Sequence, residues 1–147
     1  MIDRKHIGRE FAPHTADVEK GRLRFFAKAT GERNPIYTDE AAARAAGYRS
    51  LPVPPTFLFT MDLDRPDPFE YLQLMDVDLG KILHGSQAFS YYHDVCAGDA
   101  ITFVTRVTDT FDKKDGALEF IVQKTSATNQ DGVLVADMSK TIVVRHG

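Results

Sequence analysis

Ala100-Ile101-Thr102-Phe103-Val104-Thr105-Arg106-Val107-Thr108-Asp109-Thr110 decides how this chain folds. Ile101, Phe103, Thr105 and Val107 fall on one side of an extended backbone, and the residues between them fall on the other. A period of two marks a strand with one buried face. Downstream, Asp112-Lys113-Lys114-Asp115-Gly116 has the composition of a turn, and Ala117 to Thr128 reads as the next strand. Asn129-Gln130-Asp131-Gly132 turns the chain again into a last strand, Val133 to Arg145. Strands joined by turns this short pair antiparallel. Upstream, the period of two sets in after Gly80, with Ile82 to His93 as a further strand.

Before Gly80 the pattern is helical. A helix capped by Thr15 or Asp17 is expected to run to about Thr30. Leu23, Phe26 and Ala27 form its apolar stripe, with Phe25 and Ala29 beside it. Gly31 suits the left-handed position that ends a helix. Thr38 is expected to cap a second helix, with Asp39 and Glu40 at its positive end, high-propensity Ala41 to Ala46, and Gly47 as its stop. Pro52, Pro54 and Pro55 break regular structure. Pro55 opens a third helix through Thr56-Phe57-Leu58-Phe59-Thr60-Met61, apolar nearly all round and therefore buried. Asp64-Arg65-Pro66-Asp67-Pro68 reads as a loop. Strands gathered in one half and helices in the other give the α+β class, with helices covering one face of the sheet.

Composition narrows the function. A chain of 147 residues, 43% apolar and 27% charged, fits one globular domain spanning 1–147. A net charge of −3 offers no basic stripe for nucleic acid. No apolar run approaches the roughly 18 residues of a membrane span. Met1-Ile2-Asp3-Arg4-Lys5 lacks the apolar stretch of a signal peptide. A single cysteine, Cys96, makes no internal disulfide, which fits a reducing cytoplasm. The five histidines form no ligand-spaced cluster, so no metal is expected.

Two blocks carry chemistry. The first runs from Gly31 to Phe57 and contains Glu32-Arg33-Asn34-Pro35-Ile36-Tyr37 and Ala46-Gly47-Tyr48-Arg49-Ser50-Leu51-Pro52-Val53-Pro54-Pro55-Thr56-Phe57. The second is Leu83-His84-Gly85-Ser86-Gln87-Ala88-Phe89-Ser90-Tyr91-Tyr92-His93, closing on Ala97-Gly98-Asp99. Both closely resemble the MaoC-like hydratases and dehydratases, in the branch called the MaoC dehydratase N-terminal domain or type-I fatty-acid-synthase-like dehydratase domain. The resemblance implies a hotdog fold, an antiparallel sheet wrapped around a central helix and paired as a dimer. It implies hydration of (R)-type enoyl thioesters, or dehydration of 3-hydroxyacyl thioesters, carried on coenzyme A or an acyl carrier protein, with neither metal nor redox cofactor.

That reaction needs an acid/base pair, a donor where charge develops on the thioester oxygen, and a dry tunnel for the acyl chain. In the family motif, roughly Gly-Asp-x-Asn-Pro-Ile-His, Asp and His form the pair. Here Glu32 and Tyr37 occupy those positions, and Asn34 between them completes the expected catalytic set while shaping the loop. Pro54-Pro55 stands where the family has His-Gly, whose following N–H is the donor. Proline has no N–H. The resemblance assigns Pro55, Thr56, Phe57, His84, Gly85 and Gln87 to substrate binding. Each has a plain structural reading too: Glu32 as a solvated carboxylate, Tyr37 as a packed aromatic, His84 as a satisfied strand residue near the sheet centre, and Phe57 as core. The leading expectation is therefore a hydratase/dehydratase component, as a homodimer or as the tunnel-forming partner of a catalytic hotdog subunit, and the competing one is a non-catalytic acyl-thioester-binding or scaffold subunit. A hotdog thioesterase is the third.

Overall fold

The computed structural model describes residues 2–146. In chain order they form β1 (His14–Asp17), α1 (Lys20–Thr30), α2 (Glu40–Ala45), α3 (Phe57–Asp62), α4 (Glu70–Leu74), β2 (Ile82–Tyr91), β3 (Ala100–Lys113), β4 (Leu118–Thr128) and β5 (Leu134–Arg145). The strands make one antiparallel sheet in the order β1-β3-β4-β5-β2.

Register explains the core. Phe103 opposes Ala127, Ala127 opposes Ala136, and Ala136 opposes Tyr91, so these side chains share one face. The next row on that face is Thr105, Thr125, Met138 and Phe89, and the one after it is Val107, Gln123, Lys140 and Gln87. Ile101, Phe103, Thr105 and Val107 are all buried, as their alternation requires. Leu23 of α1, and Phe57, Leu58 and Met61 of α3, pack with Ile101, Phe103, Ala127 and Met138 in the main apolar cluster. Burying one such side chain stabilises by about 1.5–3 kcal/mol. The arrangement is the expected hotdog, with α3 laid against the inner face of the sheet.

The β3–β4 hairpin turns through Lys114 and Asp115, both left-handed at φ 54° and 53°. Two consecutive positive φ values match the twist of a strand pair, which lets β3 extend past the expected turn start to Lys113.

Four expectations change. Thr15 and Asp17 cap no helix. They lie in β1, which pairs with Ala100 to Phe103, and the Thr15 hydroxyl meets that of Thr102 at 2.8 Å. Helix α1 starts later, after Glu19, without a side-chain cap. The cap of α2 is Asp39 rather than Thr38: its Oδ1 accepts the Ala41 N–H at 2.8 Å, while the Thr38 N–H closes the preceding turn on the Pro35 carbonyl. Finally, β2 is an edge strand, so His84 is not near the sheet centre. Helix α4 had no counterpart in the sequence reading.

Candidate active site

The loop after α1 is built by its own polar groups. Gly31 takes φ 71°, and the Glu32 N–H returns to the Ala27 carbonyl at 2.8 Å, ending the helix and reversing the chain. Glu32 Oε1 then accepts the N–H groups of Arg33 and Asn34, each at 2.8 Å. Asn34 Oδ1 accepts the Ile36 N–H at 3.2 Å, and Pro35 opens a single 3-10 turn that delivers Tyr37. Tyr37 is half-buried, while Glu32 and Asn34 are exposed.

A second segment meets Tyr37. The Val53 N–H bonds to the Val95 carbonyl at 2.8 Å. Pro54 and Pro55 then contribute no N–H, so Thr56 carries the next one. Thr56 is left-handed at φ 73°, an uncommon and strained conformation for a β-branched residue. In it the Thr56 N–H donates to Tyr91 Oη at 3.1 Å. The sequence reading placed the loss of a donor at Pro55; one residue on, Thr56 supplies a donor facing a phenol.

Between the two segments lies an open cleft of about 160 Å³. Its walls include Tyr37, Tyr48, Pro55, Leu58 and Tyr91, with exposed His93 and Asp94 beside them. Burial, then the Glu32 carboxylate and then Tyr48, hold the Tyr37 hydroxyl above the ordinary tyrosine value of 10.0. Tyr37 is therefore a neutral hydrogen-bonding phenol near pH 7. Glu32 does not line the cleft, but its charge reaches Tyr37.

The remaining predicted residues lie elsewhere. Gly85 is the unpaired residue of a bulge between His84 and Ser86. A Cβ there would come within 2.9 Å of Val143 Cγ2 and 3.0 Å of the Thr141 carbonyl, so the close approach of β5 requires glycine. The bulge brings His84 Nε2 to 3.2 Å from Gln87 Oε1. The His84 ring stacks on Phe59 of α3, centroids 5.2 Å apart. This group runs along the exposed edge strand. Phe57 sits in the core, edge-on to Phe26 at 5.0 Å and beneath the Arg22 guanidinium. The structure thus brings Tyr37, Pro55 and Thr56 together, sets His84, Gly85 and Gln87 apart on β2, and gives Phe57 to the core.

Two cleft tyrosines were not singled out from sequence. Tyr91 shares its strand face with Phe89, a period-two signal already present in the quoted block, and the rings stack at 5.7 Å. Tyr48 follows the Gly47 that ends α2 and carried no comparable signal.

Arg49 and Cys96, which follow the cleft residues Tyr48 and Val95, are both tied to Asp99, which is 2% exposed. Its Oδ2 takes the Arg49 guanidinium at 2.8 Å and the Cys96 N–H at 2.9 Å, and its Oδ1 takes the Gln130 amide at 3.0 Å. Burial raises its pKa, but these partners outweigh burial and hold it below the ordinary 3.8. Among the described residues, no group of His, Cys, Asp or Glu could hold a metal ion, and no helix is long and apolar enough to cross a membrane.

Comparison with known proteins gives this geometry a family. A UPF0336 protein of Saccharopolyspora erythraea is 31% identical over 145 residues, covering 98% of this chain and 92% of that protein. The C-terminally truncated HadBC (3R-hydroxyacyl-ACP dehydratase) complex of Mycobacterium tuberculosis contains a chain of the same fold. It is 27% identical, with a TM-score of 0.79, covering 94% of this chain and 96% of that one. A chain of the ChsH1-ChsH2 complex of the same organism is 25% identical at a TM-score of 0.74, covering 92% and 88%. Residues 5–138 match the family described as FAS1-like, dehydratase domain region. This chain belongs to that FAS1-like dehydratase family.

Proposed function

We propose that this chain is the thioester-binding subunit of an (R)-specific enoyl hydratase or 3-hydroxyacyl dehydratase, and that a hotdog partner carrying an intact Asp/His pair completes it. The observation that carries this reading is the split between Tyr37 and Glu32. Tyr37 lines the cleft as a neutral phenol, whereas one oxygen of Glu32 is occupied by the N–H groups of its own loop. A base must reach the water it deprotonates. A neutral phenol donates well and accepts a proton poorly at neutral pH.

In the hydration direction, hydroxide equivalent adds to C3 of the enoyl thioester and a proton to C2, while negative charge builds on the thioester oxygen. The Thr56 N–H, which donates to Tyr91 Oη, is suited to meet that charge. A donor of this kind lowers the barrier by about 3 kcal/mol. Tyr37 orients the carbonyl or the water from the other wall. The partner supplies the proton transfer. Pairing is supported by the exposed edge of β2, where Leu83 is 49% and Tyr91 53% exposed, and by the two heteromeric complexes whose chains share this fold.

A second reading keeps the chemistry in this chain. The nearness of the Glu32 carboxylate to Tyr37 favours it, since that pair stands where the family has Asp and His. Hydration of crotonyl-CoA, followed by loss of the enoyl-thioester absorbance, separates the two. The partner reading expects activity from the mixture with an Asp/His hotdog subunit and none from this chain alone. Activity alone, abolished by Glu32→Gln, overturns it. Release of free thiol instead would identify a thioesterase.

A further inference from the structure

Helix α1 presents an outer face that the fold leaves uncovered. Lys20, Arg22, Arg24 and Lys28 give it four cations and no acid, in a chain whose net charge is −3. Leu23 and Ala27 set its buried edge. At 100° per residue, Phe25 stands diametrically opposite them, and it is 74% exposed. Gly21 lies one turn before Phe25, and a Cβ added there would touch nothing. It lies in the first turn of the helix, and no packing within the chain requires a glycine there. Together Phe25 and Gly21 form an apolar ridge beside a bare notch.

The cations around this ridge are unequally engaged. Lys20 pairs with Glu40 at 2.9 Å, Arg22 pairs with Asp64, and Arg24 Nε donates to the Thr38 carbonyl at 2.9 Å. Among the described residues, no ion pair engages Lys28, or Arg33 just beyond the helix. The nearest acid, Glu32, is turned onto its own loop. The Glu32 N–H bond to the Ala27 carbonyl and the Arg24 bond to the Thr38 carbonyl tie this end of α1 to the 31–38 loop that carries Tyr37.

We propose that this face, built on Phe25, Gly21, Lys28 and Arg33, docks an acidic acyl carrier protein that presents its thioester to the Tyr37–Tyr91 cleft. The proposal rests on the thioester reading above. An exposed aromatic ringed by cations fits a partner with an apolar contact inside an acidic surface. The nucleotide of coenzyme A is a poorer fit, because small-ligand sites are concave and Phe25 tops a convex helix. A second copy meeting this face by two-fold symmetry would set Lys28 and Arg33 against like charges.

The test measures binding of two probes to the full chain, an acidic type II acyl carrier protein loaded with a crotonyl group and crotonyl-CoA. Wild type, Phe25→Ala and Lys28→Glu are compared at low and high salt. The proposal expects carrier affinity to fall at least about tenfold in both variants and to weaken with salt. Crotonyl-CoA affinity and oligomeric mass are expected to stay unchanged. Carrier binding indifferent to both variants overturns it, as does equal loss of both probes or a change in mass. A wild type that binds crotonyl-CoA but not the carrier overturns the docking surface and leaves the thioester reading standing. A wild type that binds neither overturns both.

Discussion

Two carboxylates sit in loops beside the same cleft and are held in opposite ways. Asp99 is buried and gathers a guanidinium, a backbone N–H and a side-chain amide from three parts of the chain. Glu32 is exposed and gathers only the N–H groups of the next two residues. The first joins distant segments, so its loss is felt throughout the fold. The second shapes a local turn that water can also satisfy. A position can therefore sit in a catalytic motif and contribute little to folding, while a residue with no chemical role holds the cleft wall in place.

The contrast yields predictions of decreasing size. Asp99→Ala leaves the buried Cys96 N–H and the Gln130 amide unpaired and is expected to cost about 3 kcal/mol of unfolding free energy, measured by urea titration. If the variant unfolds within about 0.5 kcal/mol of wild type, the supposed difference between the loops is gone.

Acid sharpens the same comparison. The folded pKa of Asp99 is lowered, so its stabilisation is fully present above the ordinary value of 3.8 and is lost as pH falls through the lower folded value. Wild type should lose stability through that window, and Asp99→Asn should have a flatter profile there. Parallel profiles would contradict the assignment.

The opposite sign is expected at Gln123, which is 1% exposed and has neither amide atom partnered among the described residues. Gln123→Met removes that desolvation cost and should stabilise by about 1 kcal/mol, read from the same titration. A loss of stability would mean that an internal water already satisfies the amide. Smallest of all, Glu32→Gln keeps an acceptor for both N–H groups and should change stability by less than about 0.5 kcal/mol. A larger loss would place Glu32 with Asp99 rather than against it.

Much of the fold was legible because its strongest patterns are local. The alternation at Ile101, Phe103, Thr105 and Val107 depends on one buried face, and the turns at Lys114–Gly116 and Asn129–Gly132 carry their own chemistry. What escaped was non-local. β1 is a four-residue strand whose partner lies far along the chain at Ala100 to Phe103, so no window around Thr15 could reveal it. The edge position of β2 follows from where the chain crosses, which alternation cannot report. The same holds for the cleft. Tyr37 and Pro55 were identifiable from the motif, but Tyr91 joins them only when β2 passes the start of α3. The Thr56 N–H was hidden by the two prolines before it, which suggested a missing donor rather than a displaced one.

The most direct test of the subunit reading is hydration of crotonyl-CoA by this chain, by a hotdog subunit bearing the intact Asp/His motif, and by their mixture, each with wild-type and Tyr37→Phe chains. The reading predicts no turnover from this chain alone, and a rate in the mixture above that of the catalytic subunit that falls at least about tenfold with Tyr37→Phe, equal to about 1.4 kcal/mol of transition-state stabilisation. Full turnover by this chain alone, or a mixture indifferent to Tyr37, would contradict it.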